Sequence, residues 1–207
     1  MEELLPGLWH YTAFHPRIRQ VVHSHFLTRS RTLFDPMVPV EGLRMFGTEF
    51  RPARIVLSNR HHWRGAQEFA DEFGCPVLAP LAGLHEFRDG RHVSGYAIGG
   101  SPADDVRALR ADALAPDDTV LRLDVGRGAL LFADALIAWD DGLSFMPDFL
   151  MDDPERTRAG LLADLRAVLD EDFDTLLFAH GDPVVRGGKA VLAAFVEAGG
   201  HSASVED

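Results

Sequence analysis

The segment Ile55-Val56-Leu57-Ser58-Asn59-Arg60-His61-His62-Trp63-Arg64-Gly65-Ala66 runs from apolar residues into a polar cluster and on into a helical pattern. Ile55 to Ser58 reads as a short buried strand. Arg64 to Phe73 sets Ala66, Phe69, Ala70 and Phe73 on one stripe and closes on Gly74, the preferred residue just past a helix end. Ligands sit at such strand ends in layered α/β proteins, because the backbone leaves the sheet there and side chains converge on open space. Two more strand ends have this form: Leu130-Leu131-Phe132-Ala133-Asp134 and Leu176-Leu177-Phe178-Ala179-His180-Gly181. Three strands thus deliver His61, Asp134 and His180. Imidazole and carboxylate are donors that zinc, manganese and iron accept, and three of them leave one position open for water. Singly, each has an ordinary structural explanation: a solvated turn histidine, an aspartate capping a turn, a histidine bonded to a carbonyl.

Outward from these ends, Arg19 to Thr28, Thr32 to Phe34, Val77 to Ala79, Thr119 to Leu123, Ala129 to Phe132 and Thr175 to Ala179 also read as strands. Asp153-Pro154 supplies an N-cap with proline at the first helical position, and Leu161, Leu162, Leu165, Val168 and Leu169 follow on one face. A third helix runs from about Gly188 to Ala198. Strands interspersed with helices predict α/β layers with sheet in the middle. No repeat or linker divides the 207 residues, so one domain over 1–207 is expected. The single cysteine, Cys75, excludes a disulfide framework and Cys-rich metal sites, and reads as a small buried apolar group. Twenty Lys+Arg stand against 32 Asp+Glu, so the net charge of −12 opposes nucleic acid and anionic membrane. The first residues lack a signal-peptide pattern and no stretch reaches membrane-spanning length, which predicts a cytoplasmic location.

Order and spacing of these motifs resemble the metallo-β-lactamase superfamily along nearly the whole chain. The family's early strand ending in aspartate is similar to Leu33-Phe34-Asp35, and its Thr-His-x-His-x-Asp-His-x-Gly motif lines up with Ser58 to Ala66. Its Gly-His-Thr-Pro-Gly segment is similar to Ala113-Leu114-Ala115-Pro116-Asp117, its Gly-Asp ending to Ala133-Asp134, and its last histidine to His180. The resemblance implies a four-layer αβ/βα sandwich with a site along one edge of two sheets. Of the seven positions that bind metal in the family, this chain keeps His61, Asp134 and His180; the others are Asn59, Trp63, Arg64 and Leu114.

Leucine and tryptophan give a metal no lone pair, and the asparagine carbonyl is a poor substitute for imidazole on zinc. A two-zinc site is therefore not expected, and the expectation is no metal or one divalent ion (zinc, manganese or iron) on His61, Asp134 and His180. His62 is a further donor, although adjacent residues seldom point at one atom. Trp63 and Leu114 are bulky enough to fill the volume that metals would vacate, and Arg64 is expected to replace their charge by pairing with Asp134, unless it points to solvent. Catalysis is assigned to His61, Asp134 and His180, and the pocket to Asn59, His62, Trp63, Arg64 and Leu114. His23 and His25 alternate on one strand face that either approaches the site or is half exposed.

The leading function is a hydrolase of a small ester, thioester, lactone or phosphoester. The alternative is a catalytically silent protein that binds a small anionic ligand, as an arginine in the pocket would favour, or a protein partner. A homodimer is the default assembly by frequency. A serine hydrolase lacks its Gly-x-Ser-x-Gly elbow here, and RNA processing lacks a basic surface.

Overall fold

The structure is a computed structural model and describes residues 1–139 and 141–201. A seven-stranded sheet follows chain order: β1 (Glu2–Leu5), β2 (Leu8–His15), β3 (Gln20–Leu27), β4 (Thr32–Phe34), β5 (Arg54–Val56), β6 (Val77–Pro80) and β7 (Val93–Tyr96). Its first four strands pair antiparallel, and β4 to β7 are parallel. The second sheet has the order β13-β10-β9-β8, from β8 (Val106–Arg110), β9 (Thr119–Leu123), β10 (Ala129–Phe132) and β13 (Thr175–Phe178). A short ribbon of β11 (Ile137–Trp139) and β12 (Gly142–Ser144) flanks it. Helix α1 spans Ala66–Phe73, α2 spans Pro154–Val168 and α3 spans Gly188–Glu197.

Strand periodicity explains the layering. Neighbouring residues point to opposite faces, so Leu33 and Ile55 pack with Phe69 of α1 while Phe34 and Val56 face the second sheet. Leu131 and Leu177 meet them from that sheet, while Leu130, Phe132, Leu176 and Phe178 turn outward against α2 and α3. The result is helix, sheet, sheet, helix: the expected four-layer αβ/βα sandwich. Strands buried on both faces are apolar runs without alternation, which is why these short segments read clearly in the sequence.

Strands β1, β2, β7, β8, β11 and β12 were not among the segments that the sequence pattern identifies. Glu2–Leu5, Leu8–His15 and Val93–Tyr96 mix polar and apolar residues because they lie toward the two ends of their sheet, with one face on the core or less. Among the described residues no helix is long and apolar enough to cross a membrane.

Candidate metal centre

Four of the site residues follow the carboxyl ends of parallel strands: Asp35 after β4, Ser58 after β5, Asp134 after β10 and His180 after β13. Asn59 follows Ser58 and caps a 3₁₀ turn over Arg60–Trp63; its Oδ1 accepts the backbone N–H groups of His61 (2.9 Å) and His62 (3.1 Å). In a 3₁₀ turn residues three apart eclipse. Asn59 and His62 therefore share a direction, and both reach Asp134.

This turn decides which histidine joins the cluster. His62 Nε2 lies 3.3 Å from Asp134 Oδ1, and His180 Nε2 lies 3.4 Å from the same oxygen. Among the described residues His62, Asp134 and His180 are the one group of three whose donor atoms all lie within 4.8 Å of one another. His61 is not in it. One step round the turn, it is exposed and lines the cleft beside Asp134. Partial burial of its ring and the Arg60 guanidinium nonetheless keep its imidazole below the usual histidine range.

The far side of His62 is held firmly. Its Nδ1 lies 3.1 Å from Asp35 Oδ2 and 2.9 Å from Ser58 Oγ, while the Ser58 hydroxyl donates to Asp35 Oδ2 at 2.5 Å and the Ser58 N–H to Oδ1 at 2.7 Å. With both partners accepting, Nδ1 carries the hydrogen, and in the neutral ring Nε2 presents its lone pair to the cleft. Carboxylate behind imidazole is the arrangement that orients metal-binding histidines. Without an ion, burial and Arg64 push His62 down, but the carboxylates of Asp35 and Asp134 outweigh them and raise it to about 9. Burial likewise would raise Asp134, but His62 and His180 hold it well below the usual carboxylate range.

Asp118 is a site residue that the sequence reading missed. Continuing the antiparallel register Phe132↔Val120 by two residues sets it opposite Asp134. Its oxygens accept the N–H groups of Asp134 (3.1 Å) and Ala135 (3.3 Å), and Asn59 Nδ2 bridges to Asp118 Oδ2 (3.3 Å) and Asp134 Oδ2 (2.8 Å). Burial and the Asp134 charge raise Asp118 to about 8, so Asp118 takes up a proton first and Asp134 stays ionised. The signal in the sequence was the pair Asp117-Asp118 at the start of a strand antiparallel to the one ending in Asp134.

Arg64 is inside the site but does not pair with Asp134, as the charge-replacement reading expected. Its guanidinium donates to the carbonyls of His23 (2.9 Å), Asp35 (3.0 Å) and Ala179 (3.3 Å), which tie β3, the end of β4 and the end of β13 together. The cationic partner of Asp134 is His62. Trp63 does not fill the cleft either: it turns away, packs on Phe87 and lies under the Arg91 guanidinium. Leu114 does line the cleft, beside Asn59 and Asp134. His23 and His25 are buried; with His10 they form an imidazole stack on β2 and β3, with His10 Nε2 2.9 Å from His23 Nδ1.

His180 is presented by a turn that needs glycine. Gly181 has φ +110°, and a Cβ there would fall 1.7 Å from the Ala138 carbonyl oxygen, while the His180 carbonyl accepts the Ala138 N–H. Two pockets meet at Asp134 and share His61, Asp134, Met146 and Leu150, and the three donors together line the smaller one. One, of about 280 Å³, is mostly apolar; the other, about 830 Å³, is lined by aspartates.

No protein-family model matches the sequence, and no curated protein is detectably similar to it. Solved structures are. A metallo-β-lactamase family protein from Thermus thermophilus superposes with a TM-score of 0.68 at 18% identity, covering 95% of this chain and 81% of its own. A metallo-β-lactamase from Erythrobacter litoralis, solved with β-mercaptoethanol in its active site, gives 0.66 at 16% identity over 95% of both chains. An archaeal superfamily protein from Sulfolobus tokodaii gives 0.66 at 13% identity, covering 93% of this chain and 85% of its own. Likeness over so much of each chain, with the layers and sheet order above, establishes that this protein has the metallo-β-lactamase fold.

Proposed function

We propose that the protein is a hydrolase of small esters or related acyl compounds that works with a single divalent ion held by His62, Asp134 and His180. The observation that carries this reading is a pair of distances. Tetrahedral ligands about 2.0–2.1 Å from zinc are separated by about 3.3–3.4 Å from one another, and the two imidazole nitrogens stand 3.3 and 3.4 Å from Asp134 Oδ1. Moreover, His62 Nε2 and Asp134 Oδ1 are buried, and apart from the ion pair they form with each other and the His180 contact, neither has a hydrogen-bond partner among the described residues. Buried polar atoms are otherwise almost always satisfied. The donor set thus fits one ion with a position left for water, and the replaced residues at 59, 63, 64 and 114 provide no second.

A bound divalent ion supplies Lewis acidity and a water acidified toward neutral pH. The residues supply position. Asp35 and Ser58 fix the His62 ring, Asn59 and the Asp118 loop fix Asp134, and Gly181 fixes His180. His61, neutral and beside both pockets, is placed to accept a proton from water and return it to the leaving group. In the net reaction a water oxygen joins the acyl carbon, the bond to the leaving oxygen or sulfur breaks, and one water proton ends on that group.

Metal content tests this directly. Protein incubated with zinc or manganese and then desalted is expected to retain about one ion per chain, and His62→Ala, Asp134→Ala and His180→Ala are each expected to lose it. His61→Ala is expected to keep the ion and lose ester hydrolysis. An ion retained equally in His62→Ala would overturn the assignment. A second reading is favoured by charge: without an ion, Asp35 and Asp134 balance His62 and Arg64. It describes a catalytically silent binding protein, and wild-type protein that retains no ion and cleaves no ester would establish it.

A further inference from the structure

Strands β2 and β3 form a hairpin that reaches beyond the sheet edge at the metal centre. Each strand is antiparallel to the next, so β2 runs in the same direction as β4, and its carboxyl end leaves the sheet where Asp35 and Ser58 stand. His10 is level with Phe34, the last residue of β4, and β2 continues five residues further to His15, roughly 16 Å at the usual rise of a strand. The base of the hairpin is tied to both sheets: the His23 N–H donates to the Ala179 carbonyl (3.0 Å), next to His180, and the His23 carbonyl accepts from Arg64 (2.9 Å). Pro16 favours extended backbone at His15, and the turn closes with the Arg19 N–H on the His15 carbonyl at 2.8 Å.

His15 and its cross-strand partner Gln20 share a face, and both line the smaller pocket together with His62, Asp134 and His180. Other polar groups there are already committed: the three donors face one another, and the Arg64 guanidinium is held by three carbonyls. His15 is not. Its Nδ1 is buried and has no hydrogen-bond partner among the described residues. No group behind the ring fixes its tautomer, in contrast to His62, whose Nδ1 is held by Asp35 and Ser58. Nε2 is therefore free to carry the hydrogen.

The surrounding charges decide how such a ring can act. Burial, then Arg64, lower its imidazole; Arg17 and His62 add to the shift, and the His15 carbonyl works against it. The side chains whose charge bears on it are thus cations, from the residues before α1, from the hairpin turn and from the 3₁₀ turn. An ion on the three donors adds to the same sign. A base must become positive as it works, which these neighbours oppose, whereas an oxygen that turns negative beside them is stabilised. A neutral imidazole in that setting is suited to donate its N–H to a carbonyl oxygen. His61 differs, because Asp134 and Glu86 favour its protonated form.

We infer that His15 is a catalytic residue of this site, the donor whose ring N–H meets the acyl oxygen as that oxygen gains negative charge. In that step the water oxygen bonds to the acyl carbon, the carbonyl π pair moves onto its own oxygen, and His15 shares its hydrogen with that oxygen without giving it up. The assignment adds a residue to the proposed hydrolysis and rests on that reaction for the acyl oxygen.

Kinetics and binding on the full chain loaded with zinc test it together. With 4-nitrophenyl butyrate, His15→Phe is expected to lower kcat by about 100-fold, the scale of one lost oxyanion donor, and to leave KM within about threefold. Its ion content should stay at about one per chain. His15→Gln, whose amide N–H falls near the place of Nε2, should recover most of the loss, since it can donate but cannot act as a base. Binding gives a readout independent of turnover. In calorimetry, 1,1,1-trifluoro-2-hexanone, whose hydrate carries an ionisable oxygen, should bind about tenfold more weakly to His15→Phe than to the wild type. The alcohol 1,1,1-trifluoro-2-hexanol forms no such hydrate and should bind both equally.

An unchanged kcat in His15→Phe, a His15→Gln as slow as His15→Phe, loss of the ion in either variant, or ketone affinity indifferent to both substitutions each overturns the inference. The two readings fail separately. Wild-type protein that leaves the ester intact yet binds the ketone through His15 would refute hydrolysis and keep the donor. Ester cleavage untouched by His15→Phe would keep hydrolysis and refute the donor, and wild-type protein that neither cleaves the ester nor binds the ketone would refute both.

Discussion

Arg64 shows how one side chain can hold a site's shape through main-chain contacts. Its backbone has φ +40°, uncommon for a residue with a Cβ, and three charge-assisted hydrogen bonds hold it there. Such bonds contribute about 1.5–3 kcal/mol each when their removal strands buried carbonyls. Arg64→Met is therefore expected to lower unfolding free energy by about 2–4 kcal/mol in denaturant titration. Arg64→Lys should recover little of it, because one ammonium cannot span carbonyls on three separate elements. Gly181→Ala belongs beside it: the added methyl would meet the Ala138 oxygen at 1.7 Å with φ held at +110°. It should cost more than about 2 kcal/mol and weaken metal retention as well, since His180 moves with the turn.

Strands β2 and β3 together carry a liability to acid. Burial, then the neighbouring His10, lower His23 to about 4, and the same two causes hold His25 well below the histidine range. Asp182 works against the shift of His23, while His180 and Arg64 add to it. A histidine whose folded value lies below its unfolded value of about 6.5 favours the folded state while neutral. That contribution is complete above pH 6.5 and is withdrawn as the pH falls toward 4, where His23 alone accounts for about 3 kcal/mol. Thermal melts should therefore drop steeply between pH 6.5 and 4, and His23→Gln should flatten the slope. An unchanged slope in that variant would show that the stack does not govern acid unfolding.

Across the whole molecule, the two-sheet sandwich brings together residues from chain segments separated by 145 positions, from Asp35 to His180. Four layers give three apolar interfaces, one between the sheets and one under each set of helices, and the cleft opens where parallel strands end. Donor spacing at that edge depends on how the sheets pack. The prediction of about one retained ion per chain is accordingly a test of the sandwich as well as of the ligands: a loosened core would relax the 3.3 and 3.4 Å separations and lose the ion before it lost secondary structure.

The linear pattern of residues was enough to announce the layers, because strands buried on both faces must be continuously apolar and helices lying on them must carry a stripe. It also marked three strand ends as chemical, and Asp134 and His180 stand together in the cleft. It named His61 as the third donor and set His62 aside, whereas the structure clusters His62 with Asp134 and His180. That choice rests on a 3₁₀ turn capped by Asn59, whose geometry eclipses residues three apart, whereas alignment by motif spacing puts weight on His61. Asp118 was hidden for a related reason: its position opposite Asp134 follows from a strand register that exists only after β9 and β10 have paired. The role of Arg64 was the least legible, since its three shortest hydrogen bonds go to main-chain oxygens, which leave no trace in side-chain identity, and only a longer contact of 3.5 Å reaches a side chain, His180. Packing alone brings those oxygens within reach of one guanidinium.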